Sequence, residues 1–101
     1  TVLPKLISAV EYIRQPLPQY PLASRRLREE GLVMLRVLID ERGKAVRIDL
    51  HRSSGHERLD RAACDAVARA QFNPYIEDGV AQLAFALVPI EFTLNQRVAQ
   101  R

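Results

Sequence analysis

The sequence predicts an α+β fold: a small antiparallel three-stranded sheet with two helices packed on one face, in the chain order helix, strand, strand, helix, strand. Three observations carry this. Leu32 to Ile39 is apolar on both faces apart from Arg36, the pattern of a central strand. Asp40-Glu41-Arg42-Gly43-Lys44 reads as a turn with Gly43 free to take positive φ, and Ala45 to Arg52 returns with Val46, Ile48 and Leu50 on one face and Arg47, Asp49 and His51 on the other. Leu59, Ala62, Ala63, Ala66, Val67 and Ala70 then recur at helical spacing before a last apolar stretch. A hairpin followed by a crossover helix brings the final strand beside the first, in sheet order two-one-three, and leaves both helices free to cover one face.

A chain of 101 residues is enough for one domain, residues 1–101, with a lead-in at 1–15, a core at 16–94 and a polar tail at 95–101. It opens on Thr1 rather than methionine, so the expectation is a piece of something longer, with any anchor or signal outside it. No run reaches the ~18 to 20 apolar residues of a membrane-spanning helix. The balance of 15 basic and 12 acidic side chains, net +3, is mildly basic and spread along the chain. With no Trp, and Tyr not interleaved with Lys or Arg, a nucleic-acid module is a rival with little support. Cys64 stands alone, so it forms no internal disulfide and reads as a small packed hydrophobe.

Taken in order, Thr1 to Arg14 is apolar enough to lie on the body of the fold, either as a short helix or as an added strand. Gln15-Pro16-Leu17-Pro18-Gln19-Tyr20-Pro21 is extended and stiff, because each proline fixes its own φ and pushes its predecessor out of the helical region. Pro21 suits a helix start, and Leu22 to Glu30 is expected to be helical, stopped by Gly31. Its apolar face is narrow, Leu22, Ala23 and Leu27, and Arg25, Arg26 and Arg28 read as a solvated face. Ser54-Gly55-His56-Glu57 matches a capping box for the second helix, on which Glu57 with Arg61 and Asp65 with Arg69 are acid-before-base pairs four apart. Phe72-Asn73-Pro74-Tyr75 ends that helix and leads through Ile76-Glu77-Asp78-Gly79 into the terminal strand.

That strand, Val80 to Leu94, carries one charge, Glu91. Val88, Ile90, Phe92 and Leu94 point inward against Pro89, Glu91 and Thr93, while Leu83, Phe85 and Leu87 are out of phase, so a bulge or bend is expected near Leu87. Pro89 lacks the amide proton an interior strand donates, which puts the strand at a sheet edge with that residue's backbone turned outward. An edge with so little charge recruits other strands unless the chain's own termini cover it. Covered by its own chain or used for a partner peptide are the two readings of this edge.

No catalytic or cofactor constellation stands out. Ser53, Ser54, His51 and His56 lack a glycine-flanked elbow and a partnered acid, and Ser54 is already explained as a cap. His51 and His56 with Cys64 or Asp60 match no standard metal-ligand spacing, and there is no phosphate-cradling glycine loop. The chain reads as a non-enzymatic binding module without cofactor or metal.

The chain resembles the periplasmic C-terminal domain of the TonB energy-transducer family from about Pro16 to Leu94. Pro18-Gln19-Tyr20-Pro21 is similar to its Pro-x-Tyr-Pro opening, Glu30-Gly31-Leu32-Val33 to its Glu-Gly-x-Val, and Val37-Leu38-Ile39-Asp40 with Gly43 to its first hairpin. Ser53-Ser54-Gly55, Leu59-Asp60-Arg61-Ala62-Ala63 and Ala66-Val67 resemble its second helix, and Phe72-Asn73-Pro74 with Val88-Pro89-Ile90-Glu91-Phe92-Thr93-Leu94 complete the series in order. Leu17 replaces a common Gln, Ala23 a common Arg for which Arg25 or Arg26 could substitute, and Ala70 a common Trp.

The resemblance implies a periplasmic domain of a protein anchored in the inner membrane of a Gram-negative bacterium through an amino-terminal helix and a proline-rich spacer. It would work with an inner-membrane proton-channel complex and bind the TonB box of outer-membrane receptors that import siderophores, haem or cobalamin. Carried over residue by residue, the partner site is Gln19, Tyr20 and Pro21, with Arg25 and Arg26, and the strand Leu87, Val88, Pro89, Ile90, Glu91, Phe92, Thr93 and Leu94. The box would pair with the outward backbone of Leu87, Glu91 and Thr93 while Val88, Ile90 and Phe92 pair inward. The open edge would also allow a homodimer. A TolA-like periplasmic adaptor is the alternative within interaction proteins, and steep weakening by salt would mark the nucleic-acid rival.

Overall fold

The computed structural model describes residues 4–7 and 10–94. The elements are β1 (Lys5–Ile7), β2 (Tyr12–Arg14), α1 (Leu22–Arg26), β3 (Gly31–Ile39), β4 (Ala45–Arg52), α2 (Glu57–Ala68), β5 (Gln71–Phe72), β6 (Tyr75–Glu77), β7 (Val80–Gln82) and β8 (Ala84–Phe92). The main sheet has four strands in the order β1-β8-β3-β4, not three. Within it β4-β3-β8 keeps the expected two-one-three order, antiparallel throughout, and β1 adds a parallel strand beyond β8. The lead-in, which its sequence left open between helix and strand, therefore supplies β1 and then β2, which pairs with β5.

The core forms where alternate residues of β3 and β8 meet α2. Val33, Leu35, Val37 and Ile39 alternate on β3, and Ala84, Ala86, Val88, Ile90 and Phe92 on β8, all buried with Leu59, Ala63, Ala66 and Val67 of α2 and with Phe72. The expected bulge near Leu87 is absent: β8 pairs with β3 without a register shift from Ala84 to Phe92. The reason is that small alanines, not the larger Phe85 and Leu87, take the inward positions. Phe85 lies on the opposite face under the Arg36 guanidinium, 4.1 Å from its ring centre, where its π-face is covered by a cation.

The terminal stretch also breaks earlier than its composition indicates. Val80–Gln82 is a separate strand, β7, in a hairpin with β6 whose two turn residues, Asp78 and Gly79, have φ of 55° and 79°. Two consecutive positive φ values fit the right-handed twist of a tight hairpin, and Asp-Gly is the sequence signal for it. On β4 two register shifts leave Val46 and His51 as extra residues, so Ala45 rather than Val46 pairs with Ile39 at the core side and Val46 is exposed.

Among the described residues α2 packs as the helical layer on the sheet, against β3 and β4. α1 ends at Arg26, not Glu30, and its expected apolar face is wet: Leu22 and Leu27 are 62% and 61% exposed, while Ser24 is buried. Arg28 takes φ 56° and ends the turn, so Gly31 is not the helix stop. Gly31 begins β3 and is needed for close approach, because a Cβ there would stand 2.9 Å from the Ser54 Cβ and carbonyl oxygen.

The capping box is replaced by a different arrangement. α2 starts after His56, without a side-chain cap, and the residue that reaches back is Asp60, not Glu57. Asp60 accepts from the Ser53 hydroxyl at 2.5 Å, the Ser54 amide at 2.9 Å and the Ser54 hydroxyl at 2.8 Å. Burial pushes its pKa up, but these hydrogen bonds with nearby His56 hold it below the ordinary value overall. Of the two predicted helix pairs, Glu57 with Arg61 closes at 3.1 Å, and Asp65 with Arg69 does not close. The polar tail expected at Asn95 to Arg101 lies outside the described residues.

Candidate strand-docking site

The site is built from the outer edge of β8. Pro89 pairs with Met34 and has no amide proton, so this pair is a non-hydrogen-bonded one and the backbone of Pro89 faces away from β3. The parity is fixed independently at the other end, where the Lys5 amide donates to the Leu83 carbonyl from outside at 3.3 Å. Residues of odd number along this strand therefore turn their backbone groups outward. Among the described residues β1 pairs with Ala84, Phe85 and Ala86. From Leu87 to Phe92, among the described residues, no strand lies along the outer side. That leaves the carbonyls of Leu87 and Pro89 and both backbone groups of Glu91 along an open edge. The chain's own segment thus covers the edge over Ala84–Ala86, and the rest of the outer side carries no paired strand among the described residues.

The predicted site residues divide by role. Val88, Ile90 and Phe92 are buried and make the edge rigid, whereas Leu87, Pro89 and Glu91 are exposed. Thr93 and Leu94 lie beyond the end of β8, and the Leu94 amide donates to Glu30 Oε2 at 3.3 Å. Tyr20 joins the lead-in to this end of the strand: its ring meets that of Phe92 edge-on, centroids 5.2 Å apart at 81°, and its hydroxyl donates to the Glu29 carbonyl. Burial raises the Tyr20 pKa, Glu30 and Glu29 raise it further, and the Arg25 charge opposes them.

Gln19 and Pro21 do not stand apart from α2. With Tyr20 and Leu22 they form one wall of a groove of about 490 Å³ whose other wall is Ala62, Asp65 and Arg69. Arg25 and Arg26 are exposed on α1, and among the described residues no carboxylate forms an ion pair with them. Two contributors were not assigned to the site from the sequence. One is Lys5–Ile7, left open there between helix and added strand because three residues are too short to show a period. The other is Glu29, which accepts from the buried Ser24 hydroxyl at 2.7 Å and from Arg58 at 3.2 Å, and so pins the connection that carries the Tyr20 hydroxyl bond. Its only sequence signal is the acidic pair before Gly31.

Ser53 and Ser54 are engaged with Asp60, and among the described residues no three His, Cys, Asp or Glu side chains converge as a metal site. The arrangement offers a rigid, partly open row of backbone hydrogen-bonding groups, which is chemistry for holding another chain.

Comparison with known proteins agrees with this geometry. Residues 16–94 match the family described as Gram-negative bacterial TonB protein C-terminal. The chain is 40% identical over 84 residues to protein TonB2 of Pseudomonas aeruginosa, covering 83% of this chain and 31% of that protein. It is 37% identical over 92 residues to protein TonB of Vibrio cholerae, covering 91% and 36%. The chain thus spans about a third of the length of these relatives. In structure it is similar to the Vibrio anguillarum TonB2 protein, with a TM-score of 0.61, 31% identity and coverage of 83% and 80% of the two chains. The solution structure of the Pseudomonas aeruginosa TonB C-terminal domain shares its fold at a TM-score of 0.70 and 23% identity, covering 85% and 87%. The chain belongs to the TonB C-terminal domain family.

Proposed function

We propose that this chain is the receptor-gripping domain of a TonB-type energy transducer. A box peptide of an outer-membrane receptor adds as a strand to the outer side of β8, over Leu87–Phe92. The observation that carries the reading is the open stretch of that edge, with Pro89 turned outward beside a buried, regular ladder to β3. Main-chain bonding supplies the grip, and side chains around the end of the strand, Tyr20 with Gln19, Arg25 and Arg26, supply selectivity. Force along the strands loads several hydrogen bonds together, so modest affinity can resist a pull. The domain acts in the periplasm for a protein held in the inner membrane and driven by a proton-channel complex. It has no catalytic step of its own, and the receptors it serves import siderophores, haem or related ligands.

The test is an NMR titration of the labelled chain with a short TonB-box peptide and a scrambled control. Saturable shifts centred on Leu87–Phe92 and Tyr20 are expected. Glu91→Pro is the decisive variant. Glu91 shares the outward parity of Pro89, so losing its amide proton leaves the ladder to β3 intact while removing a donor offered to the peptide. Binding should weaken more than about tenfold, with the fold unchanged. Wild-type affinity in the folded variant refutes strand addition at this edge, and an absence of shifts at millimolar box peptide moves the reading to an adaptor with another partner or to a homodimer edge.

A further inference from the structure

The docking edge is shared. β1 lies on the same outer side of β8 that the partner peptide would use, in parallel register with Lys5 opposite Ala84, Leu6 opposite Phe85 and Ile7 opposite Ala86. By Glu11 and Tyr12 the chain is held away from this edge: the Glu11 carbonyl accepts from the Asn73 amide at 2.8 Å, and Tyr12 packs on Phe72 with ring centres 5.1 Å apart. One third of the nine-residue strand β8 is thus closed by the chain itself.

The hold on β1 is light. Among the described residues it pairs with a strand on one side only, its first amide bond to Leu83 is long at 3.3 Å, and Leu6 is 67% exposed. The ion pair of Lys5 with Glu77 at 3.0 Å is exposed at both ends, 52% and 41%, a setting in which such pairs contribute little. Ile7 alone reaches the core cluster. A three-residue edge strand of this kind is marginal by itself. A partner strand continuing past Leu87 would offer β8 the same backbone bonds that β1 makes, so the exchange is close to even for the sheet.

Resting on strand addition at β8, we infer that β1 is a displaceable strand competing in cis with the partner peptide. It confines a short partner to Leu87–Phe92, and a longer partner evicts Lys5–Ile7 to gain Ala84–Ala86. The apparent affinity for a long peptide is then the intrinsic affinity reduced by the fraction of molecules whose edge is free.

The experiment uses the full chain, as wild type and as Lys5→Pro, which removes the amide that donates to Leu83 and the Lys5 charge together. Two synthetic peptides carry the same TonB box, one trimmed to a six-residue strand and one extended to nine. The six-residue peptide is expected to bind both proteins equally. The nine-residue peptide is expected to bind Lys5→Pro at least about threefold more tightly than wild type, since the variant's edge is free more of the time. On wild type it should shift Phe85 and Ala86 and move the Lys5–Ile7 amides to random-coil positions. If Lys5→Pro does not fold, Glu77→Lys loosens β1 by charge repulsion without touching the backbone, with the same expectation. Equal affinity of the nine-residue peptide for both proteins, with the β1 resonances unmoved, overturns the inference while binding of the six-residue peptide still upholds strand addition. Failure of both peptides overturns the two readings together.

Discussion

Separating Tyr20 from Phe92 should loosen the lead-in from the docking strand, and the structure sets the size of the effect. Tyr20 makes two contacts of different kinds, its ring against Phe92 and its hydroxyl to the Glu29 carbonyl. Tyr20→Phe removes only the second and should cost about 1 kcal/mol, the usual net value of such a bond. Tyr20→Leu removes both. An edge-to-face aromatic pair contributes ~0.5 to 1.5 kcal/mol beyond its buried area, so the two terms together should cost roughly 1.5 to 2.5 kcal/mol. That corresponds to roughly 6 to 20 °C in Tm for a domain of this size. Urea unfolding of wild type, Tyr20→Leu, Phe92→Leu and the double variant closes a thermodynamic cycle. The expected coupling is the pair term, ~0.5 to 1.5 kcal/mol, and a value below ~0.3 kcal/mol would refute the claim that the ring contact ties the two segments.

Other expectations follow from single contacts. Gly43→Ala should destabilise by at least about 2 to 3 kcal/mol in a thermal melt, because φ there is 84° and the new Cβ would meet the Phe72 carbonyl oxygen at 2.0 Å. Gly55→Ala is its control, with φ 93° but nothing within 4 Å, and should cost clearly less. Asp60 gives a pH dependence of definite sign. Its folded pKa lies below the ordinary 3.8, so its hydrogen bonds contribute fully above that value and are lost as pH falls through the lower, folded pKa. Unfolding free energy measured between about pH 5 and pH 2 should therefore drop more in wild type than in Asp60→Asn, by about 1 kcal/mol or less given partial exposure. A flat difference between the two proteins across that range would remove Asp60 from this role.

How much of this was legible depends on the length over which a pattern is written. Leu32 to Ile39 is a long apolar run and Leu59 to Ala70 repeats a helical period, and the central strand and α2 stand where those patterns put them. Pro89 is equally informative as a single residue, because its missing donor is chemical and survives any packing. The short elements escaped for the opposite reason. Three residues in β1 carry no period, and α1 offered Leu22 and Leu27 as a face that the fold leaves in water while it buries Ser24 against Glu29. The inward phase of Val88, Ile90 and Phe92 stands as expected, whereas the bulge near Leu87 does not form, because hydrophobicity alone gives no weight to volume and the alanines at 84 and 86 take the inward positions of the close-packed core.

Sequence by itself thus determined the order of the main strands, the crossover helix, the family and the outward turn of the last strand at Pro89. Each of these is set by local chemistry or by a period repeated along one segment. Tertiary structure alone decided which part of that edge stays open. The pairing of Lys5–Ile7 with Ala84–Ala86, the hold of Tyr20 on Phe92 and the reach of Asp60 to Ser53 and Ser54 join groups whose partners the local sequence does not specify. Backbone groups on an edge accept any strand, so which strand arrives is settled by where the rest of the chain can go.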